Sequence, residues 1–442
     1  MSAEQSSNAT SASAKINAPG DAAKFRRALF LMVVVALAVR LCVIPIFLPK
    51  RLNPEQNHWR FAYETGRIAQ SIVEGHGFGS PLFANTGPTA WMAPIYPYFV
   101  AGVFKIFGIY TRSSALVLLS LNALISALTC VPIFLFARES FGTRVAIWSG
   151  WAWAFFPYAI YFPVDRIWDT WLATLLLSIL FLMALRLRNS SRTLPWIYYG
   201  ALWGVAGLTD PSVLSVLPAL GIWVCYRRHK QGLRWFALNV AAALVFIAVL
   251  APWFVRNYRV FHQFIPIRDD LGLELHVGNN GDTSSWHPTM AGPWHNPAEW
   301  NEYVQRGELA YMADRKRQAL AYVRAHPVWF VGVALRRVVY TWTGFWSLNR
   351  QYLANQPFDP PNIFFCTSLT ILMLLGLRRA FRDALPVATP YLLVLLFFPL
   401  IYYVTHPEDW YRRPLDPFCV VLAVYAIVSW RRPRASQDAQ PT

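Results

Sequence analysis

Long apolar runs alternate with short charged stretches along the whole chain. Runs long enough or nearly long enough to cross a bilayer occupy residues 28–48, 114–137, 145–162, 171–187, 195–208, 211–226, 236–255, 363–377, 386–404 and 417–430. They predict an all-α polytopic membrane protein, a bundle of roughly ten transmembrane helices. One further run, "PVWFVGVALRRVVYTWTGFW" at 327–346, is apolar but carries Arg336 and Arg337 at its centre. A crossing there would put the basic cluster at 378–382 on the wrong side, so the run is predicted to be an interfacial or partly inserted helix.

Between the first two runs the period changes. Across 59–74, Phe61, Thr65, Ile68, Ala69 and Ile72 fall on one helical face, and Arg60, Glu64, Arg67, Ser71 and Glu74 on the other. This predicts an amphipathic helix lying on the outer membrane surface. Gly75, Gly77 and Gly79 end it before a second apolar helix at 87–108, broken by Pro94 and Pro97. Asn296-Pro297 opens another helix that stops at Pro327.

Composition agrees with this reading and removes alternatives. Of 442 residues, 55% are hydrophobic and only 14% charged, which excludes an ordinary soluble domain. The net charge of +17 would suit a nucleic-acid binder, but the basic residues punctuate the spans: Lys24, Arg26 and Arg27, Arg138 and Arg144, and the clusters at 186–192, 227–234, 378–382 and 431–434. By the positive-inside bias these stretches, and both termini, are cytoplasmic. Residues 50–112, 165–168, Asp210, 256–326 and 405–413 then face outward. The expected organisation is a disordered cytoplasmic tail at 1–23, a transmembrane body at 24–430 with outer loops at 49–113 and 256–326, and a cytoplasmic tail at 431–442. The first run has no small-residue cleavage site and reads as a retained anchor. Cys42, Cys130, Cys225, Cys366 and Cys419 all fall within apolar spans without paired spacing, so neither a disulfide framework nor a zinc motif is indicated.

The order of these features resembles a known superfamily. An anchor span is followed by an outer helix bearing an acid, a Pro-rich helix ending "KIFG", a span ending "FLFARESFG", and a span opening on "DRIWDTWLATLLL". Later come "APWFVRNYRVFHQFIPIRDDLGLELHVGNN" at 251–280 and "YYVTHPEDWYRRPLDPFCVVLAVYAI" at 402–427. Over about residues 28–430 the chain resembles the GT-C superfamily of membrane glycosyltransferases, more specifically glycosyltransferase family 39, the protein O-mannosyltransferases and lipid A aminoarabinose transferases. The resemblance implies a bacterial inner-membrane enzyme of inverting type. It would move a sugar from a polyprenyl-phosphate donor to a lipid, glycan or protein acceptor on the periplasmic face. It also implies a catalytic acid on the first outer loop. The family's Asp lies upstream of an Ile-Ala pair; here Ile68-Ala69 is present, Phe61 stands at that position, and Glu64 is the nearby acid that inherits the role. On the second loop Asp169 matches the family acid, with Asp165 as an off-register competitor.

The chemistry gives the same residue types independently. An acceptor hydroxyl needs a carboxylate base, and a departing phosphate needs cationic donors, for which the planar guanidinium is suited. Outward candidates for the phosphate are Arg166, Arg256, Arg412 and Arg413. Arg256 has the alternative of snorkelling at a span end, whereas Arg412 and Arg413 run against the positive-inside bias and so call for another reason. Asp210, before Pro211, reads as a helix cap. Trp91, Asn279, Asn280 and the loop tryptophans Trp286, Trp294 and Trp300 supply aromatic faces and amides suited to a sugar; ordinary loop packing is the competing job for the tryptophans. His58 and His76 flank the 59–74 helix too far apart to share an ion directly, which argues against a metal held by this pair, while the resemblance leaves a divalent metal open; no cofactor is certain.

Two further readings remain. A flippase for a lipid-linked saccharide would place ionisable groups near the bilayer midplane and show an internal repeat. Here nearly all acids sit at outer span ends and no repeat is evident. A non-catalytic scaffold gains ground from the missing first-loop Asp.

Overall fold

In the computed structural model the described residues are 19–52, 57–283, 291–294, 296–344, 359–383 and 385–430. Residues 1–18 of the tail predicted at 1–23, the tail at 431–442 and Trp286 lie outside them, while residues 19–23 form the start of the first helix. The described residues form helices and no strand; a single bridge pairs Gly79 with Pro88.

In chain order, α1 (Pro19–Arg51) is the first long helix, followed by α2 (Tyr63–Val73) and α3 (Ile95–Phe107) before the next long helix. Next come α4 (Arg112–Leu128), α5 (Cys130–Phe141), α6 (Thr143–Ala154), α7 (Pro157–Asp165), α8 (Thr170–Leu187) and α9 (Thr193–Thr209). A 3-10 turn (Pro211–Val216) leads into α10 (Leu217–Lys230), and α11 (Phe236–Phe261) closes the first half. The second half holds α12 (Leu271–Gly278), α13 (Pro297–Arg306), α14 (Glu308–Ala325), α15 (Pro327–Thr343), α16 (Asp359–Asp383), α17 (Leu385–Phe397), α18 (Leu400–Val404) and, after a 3-10 turn (Arg413–Leu415), α19 (Asp416–Trp430).

Seven segments are long and apolar enough to span: Phe25–Pro49, Arg112–Phe141, Thr170–Leu187, Phe236–Phe261, Pro361–Asp383, Leu385–Val404 and Arg413–Trp430. The other three predicted spans are shorter or divided. Pro157 cannot continue a helical ladder, so 145–162 splits into α6 and α7; 211–226 opens as a 3-10 turn and passes at 216–217 into α10, which carries Pro218 in its first turn. The third, 195–208, lies within the 17-residue α9.

The bundle is organised around α8 and the last span, whose windows are 72% and 83% buried, against 22% for α1 and 17% for α11 at the rim. Trp153, Trp171, Trp196, Trp203, Phe181 and Phe418 fill the centre. Where apolar surface gains little by leaving lipid, helices associate by close backbone approach. A Cβ on Gly200 would meet Ala242 O at 2.0 Å, and one on Gly376 would meet Leu422 O at 2.0 Å. Arg40, fully buried on α1, donates to Ser126 Oγ at 3.0 Å, Ala154 O at 3.0 Å and Trp153 O at 3.1 Å. It thus satisfies carbonyls released where α6 ends, at the break before Pro157.

A second core sits beyond the span ends. Ile68, Phe78, Trp91, Leu273, Val277 and Tyr311 pack α2, the loop after it, α12 and α14 into one outer layer. This layer changes the reading of α2. The helix starts at Tyr63 rather than 59, after turns in which His58, Ala62 and Tyr63 take left-handed φ of 55°, 73° and 49°. Part of its polar face is covered by protein: Arg67 is buried, donates to Asn57 O and lies 5.5 Å over the Tyr110 ring, while Ser71 Oγ donates to Gly77 O at 3.0 Å; Arg60 and Glu74 stay exposed. Gly75 and Gly77 adopt left-handed φ of 86° and 82°, and Gly79 lets Gly87 O approach to 2.4 Å from where a Cβ would sit.

The run at 327–346, described to residue 344, forms α15 and is not among the seven span-length segments. Val328, Val331, Leu335 and Val339 make an exposed apolar stripe, and Arg337 is buried on the opposite side.

Candidate active site

Glu64 lies in the first turn of α2, Asp169 immediately before α8, and Asp210 before the 3-10 turn, where its Oδ1 accepts from Ser212 N at 2.9 Å and performs the predicted capping. Asp169 makes no such cap bond to the helix that it precedes. All three acids point to one place, because each is coupled electrostatically to Arg268 or to an acid that is. Asp270 and Glu274, from the same stretch as Arg268, complete the group.

The surrounding backbone fixes Arg268. Its Nε donates to Trp91 O at 2.9 Å and its Nη2 ion-pairs with Asp270. Asp269 N donates to Ala90 O at 3.1 Å, and Glu308 accepts from Ala90 N at 2.6 Å and from Thr89 Oγ1. Arg256 grips the same loop from α11, donating to Thr89 O at 2.7 Å and Phe78 O at 2.8 Å. Three parts of the chain, α11, the stretch before α12 and α14, therefore hold residues 89–91, and through them the guanidinium around which the acids gather.

Burial dominates the protonation of these acids. It pushes the Glu64 carboxyl up to about 7, with Glu274 and Asp270 adding to the rise and Arg268 opposing it. Burial, then Asp210, raises Asp169 well above the usual carboxylate range. Asp270 is pushed up to about 7 by burial although Arg268 pulls the other way. Glu274 goes down, because His406 Nε2 at 2.7 Å outweighs its burial, and Glu274 in turn raises His406 against its own burial. A carboxyl that titrates near neutrality is a stronger base when ionised than an ordinary Glu, and is still ionised in useful amount at pH 7.

A cleft adjoins this group, lined by Tyr340, Tyr402, Glu408, Tyr411, Arg412 and Arg413 among others. Tyr402 and Tyr411 stack at 4.6 Å to form a wall, with Tyr402 in the field of Asp210 and Asp169 and Tyr411 in that of Glu274. Arg412 is 4% exposed; its Nη1 donates to Thr341 O at 3.0 Å and its Nε lies 3.3 Å from Asp416 Oδ1, while Nη2 is buried without a hydrogen-bond partner. Arg413 is more fully engaged, by Asp409 O at 2.7 Å, Asp416 Oδ2 at 2.9 Å and the Tyr158 ring at 3.8 Å.

The remaining candidates have other partners. Asp165 pairs with Arg51 at 2.7 Å and with Arg166 at 3.7 Å, and Arg166 lies 3.5 Å over the Trp410 ring. The Trp91 ring packs edge-on against Trp294 and Tyr303, and Trp300 stacks on Tyr303. Asn279 Nδ2 donates to Leu275 O and Val404 O, and Asn280 Nδ2 to His276 O. His58 stacks on Tyr110, while His76 lies 3.8 Å from Glu74. Among the described residues no three His, Cys, Asp or Glu side chains converge as a metal-binding group. Arg268, Asp270, Glu274, His406 and Glu408 were not singled out from sequence. The signal for Arg268 was available: it is an outward arginine, and the argument applied to Arg412 applies to it equally.

Residues 91–254 match the family model for dolichyl-phosphate-mannose-protein mannosyltransferase. No curated protein matches the chain. The apo oligosaccharyltransferase of Archaeoglobus fulgidus is similar at a TM-score of 0.52 and 14% identity, over 90% of this chain and 50% of that one. AglB from the same organism, in complex with an inhibitory peptide and a dolichol-phosphate, gives 0.52 at 13% identity over the same shares of each chain. ArnT from Cupriavidus metallidurans bound to undecaprenyl phosphate is similar at 15% identity over 90% and 77%, with a TM-score of 0.38. The chain thus spans about half the length of the oligosaccharyltransferases that it resembles. At such identities the likeness is one of fold: the chain shares the helical fold of these oligosaccharyltransferases over half their length, and its residues 91–254 carry the mannosyltransferase family match.

Proposed function

We propose that this chain is an integral-membrane glycosyltransferase of the GT-C type, moving a sugar from a polyprenyl-phosphate donor to an acceptor hydroxyl at the outer face of a bacterial inner membrane. The observation that carries this reading is the meeting of Glu64, Asp169 and Asp210, from three separate elements, around Arg268, beside a cleft in which Arg412 keeps an unpartnered N–H. The family match and the fold support the reaction class. The dolichol-phosphate bound by AglB supports a lipid-phosphate donor.

In this reading Glu64, ionised, takes the proton of the acceptor hydroxyl, and Asp169 shares in orienting it. The acceptor oxygen attacks the anomeric carbon from the carboxylate side as the bond to the phosphate oxygen breaks. A single displacement of this kind inverts the anomeric centre. The leaving phosphate stays on the cleft side, met by Arg412 Nη2, with Arg413 adding charge behind it. Arg268 tempers the mutual repulsion of the acids and holds their geometry. Arg256, tied to Thr89 O and Phe78 O, serves to fix the loop rather than to bind the donor.

The test uses purified protein in lipid, a panel of radiolabelled polyprenyl-phosphate sugars and a membrane extract as acceptor. Glu64→Gln is expected to lower transfer by about 10²–10⁴-fold and Asp169→Asn by a smaller factor, with donor binding retained. Wild-type rates in both variants would sink the assignment of the acids. A wild-type protein that binds donor yet transfers nothing from any of them would favour the flippase reading instead.

A further inference from the structure

Glu408 has no partner suited to a carboxylate. It lines the same cleft as Arg412 and Arg413, and among the described residues it makes neither a side-chain hydrogen bond nor an ion pair. Apart from Arg412 Nη2, which is buried without a hydrogen-bond partner, the charged and titratable groups around it are engaged elsewhere or have the wrong sign. On its own loop, His406 is paired with Glu274 at 2.7 Å, and Asp409 is a second acid. From the segment between α7 and α8, Arg166 lies over Trp410 and beside Asp165. From α12 comes Glu274, again an acid. The Arg413 guanidinium is held by Asp416 and Asp409 O, Arg412 Nε faces Asp416, and Tyr411 is a neutral neighbour. An ionised Glu408 would be a third negative charge, with Glu274 and Asp409, and would have no ion pair of its own among the described residues.

We propose that Glu408 seats the donor phosphate as a neutral acid: its carboxyl O–H and Arg412 Nη2–H together donate to the phosphate oxygens. This rests on the reading of the cleft as the donor site and adds to it a second, uncharged donor. The pair gives two hydrogen bonds and one net positive charge, which complements a singly charged phosphodiester. Burial pushes the Glu408 carboxyl up to about 8, with Asp409 and Glu274 adding to the rise and His406 and Arg166 opposing it. The acid form therefore persists through neutral pH and is lost above about 8. Ionised Glu408 donates nothing and repels the phosphate.

The experiment measures binding of a radiolabelled polyprenyl-phosphate sugar, a diester whose own charge is constant, to the full chain in lipid nanodiscs from pH 6.5 to 9.5. Wild type is expected to lose affinity by about tenfold or more across pH 8. Glu408→Gln, which keeps a neutral donor, should bind within about threefold of wild type at pH 7 and stay flat to pH 9.5. Arg412→Met should bind weakly at every pH. The proposal is overturned if wild type is itself flat, if Glu408→Gln shows the same alkaline loss, or if folded Glu408→Gln has already lost the donor at pH 7. Absence of wild-type binding at all pH values is distinguishable from these, and would remove the donor site together with the role of Glu408.

Discussion

Glu64 and Glu408 stand on opposite sides of the proposed reaction and must be in opposite protonation states. Both are raised by burial, to about 7 and about 8, so Glu64 is active as a base once the pH exceeds about 7 and Glu408 holds its proton until the pH exceeds about 8. The kcat/KM profile should therefore rise through about pH 7 and fall beyond about 8, the two limbs being properties of the coupled site. Glu408→Gln should remove only the alkaline fall. A steady-state pH series checks this, and a rate that declines as the pH rises through 7 would contradict the role of Glu64. At this scale the sequence identified acids correctly as a type and less well as a set. Glu64 and Asp169 were visible because each stands at the start of a predicted helix, α2 for one and the span α8 for the other. Asp270, Glu274 and Glu408 were hidden, since only the folded layer brings residues 268–274 and 405–413 to the same place. Asp165 shows the converse: next to Asp169 in sequence, it is paired with Arg51 from the end of α1.

Among the elements, α15 explains most about how the outer layer is held. Its buried Arg337 donates to Gly278 O, to Asn279 Oδ1 at 3.2 Å, to Tyr403 O at 3.2 Å and to Val404 O at 3.1 Å, binding the end of α12 to the end of α18. Gly278 fits the same joint because a Cβ there would stand 1.9 Å from Thr405 O. The joint delivers His406 and Glu408 to the site. Arg337→Met leaves these buried acceptors unsatisfied and should cost about 2–4 kcal/mol, read as a lower unfolding temperature in detergent. Arg337→Lys should recover only part of it, because an ammonium lacks the fork; a lysine variant as stable as wild type would argue against the clasp. The paired arginines at the centre of 327–346 marked this run as unusual in the sequence. Which of them turns inward, and onto what, depends on partners about 60 residues away on either side. Likewise α2 kept its predicted period, but two residues of its polar face meet protein rather than water, Arg67 at Asn57 and Tyr110 and Ser71 at Gly77.

For the whole molecule, hydropathy was sufficient to give the fold class and most of the spans, since a lipid-spanning backbone has few alternatives to a helix. Pro157 divides 145–162, while 211–226 opens as a 3-10 turn before α10 and 195–208 lies in one short helix. The outer layer has no comparable periodic signal, because it is built from short helices and loops joined by arginines and glutamates. The central claim is that this layer and the last span's outer end enclose one continuous site, with carboxylates on one side of the Tyr402–Tyr411 wall and Arg412 on the other. An experimental structure of the Glu64→Gln protein with a bound polyprenyl-phosphate sugar tests it most directly. The account predicts the phosphate within hydrogen-bonding distance of Arg412 Nη2 and the Glu408 carboxyl, with the anomeric carbon turned toward residue 64 and Asp169. A phosphate lodged at Arg256, or a sugar turned away from both acids, would contradict it.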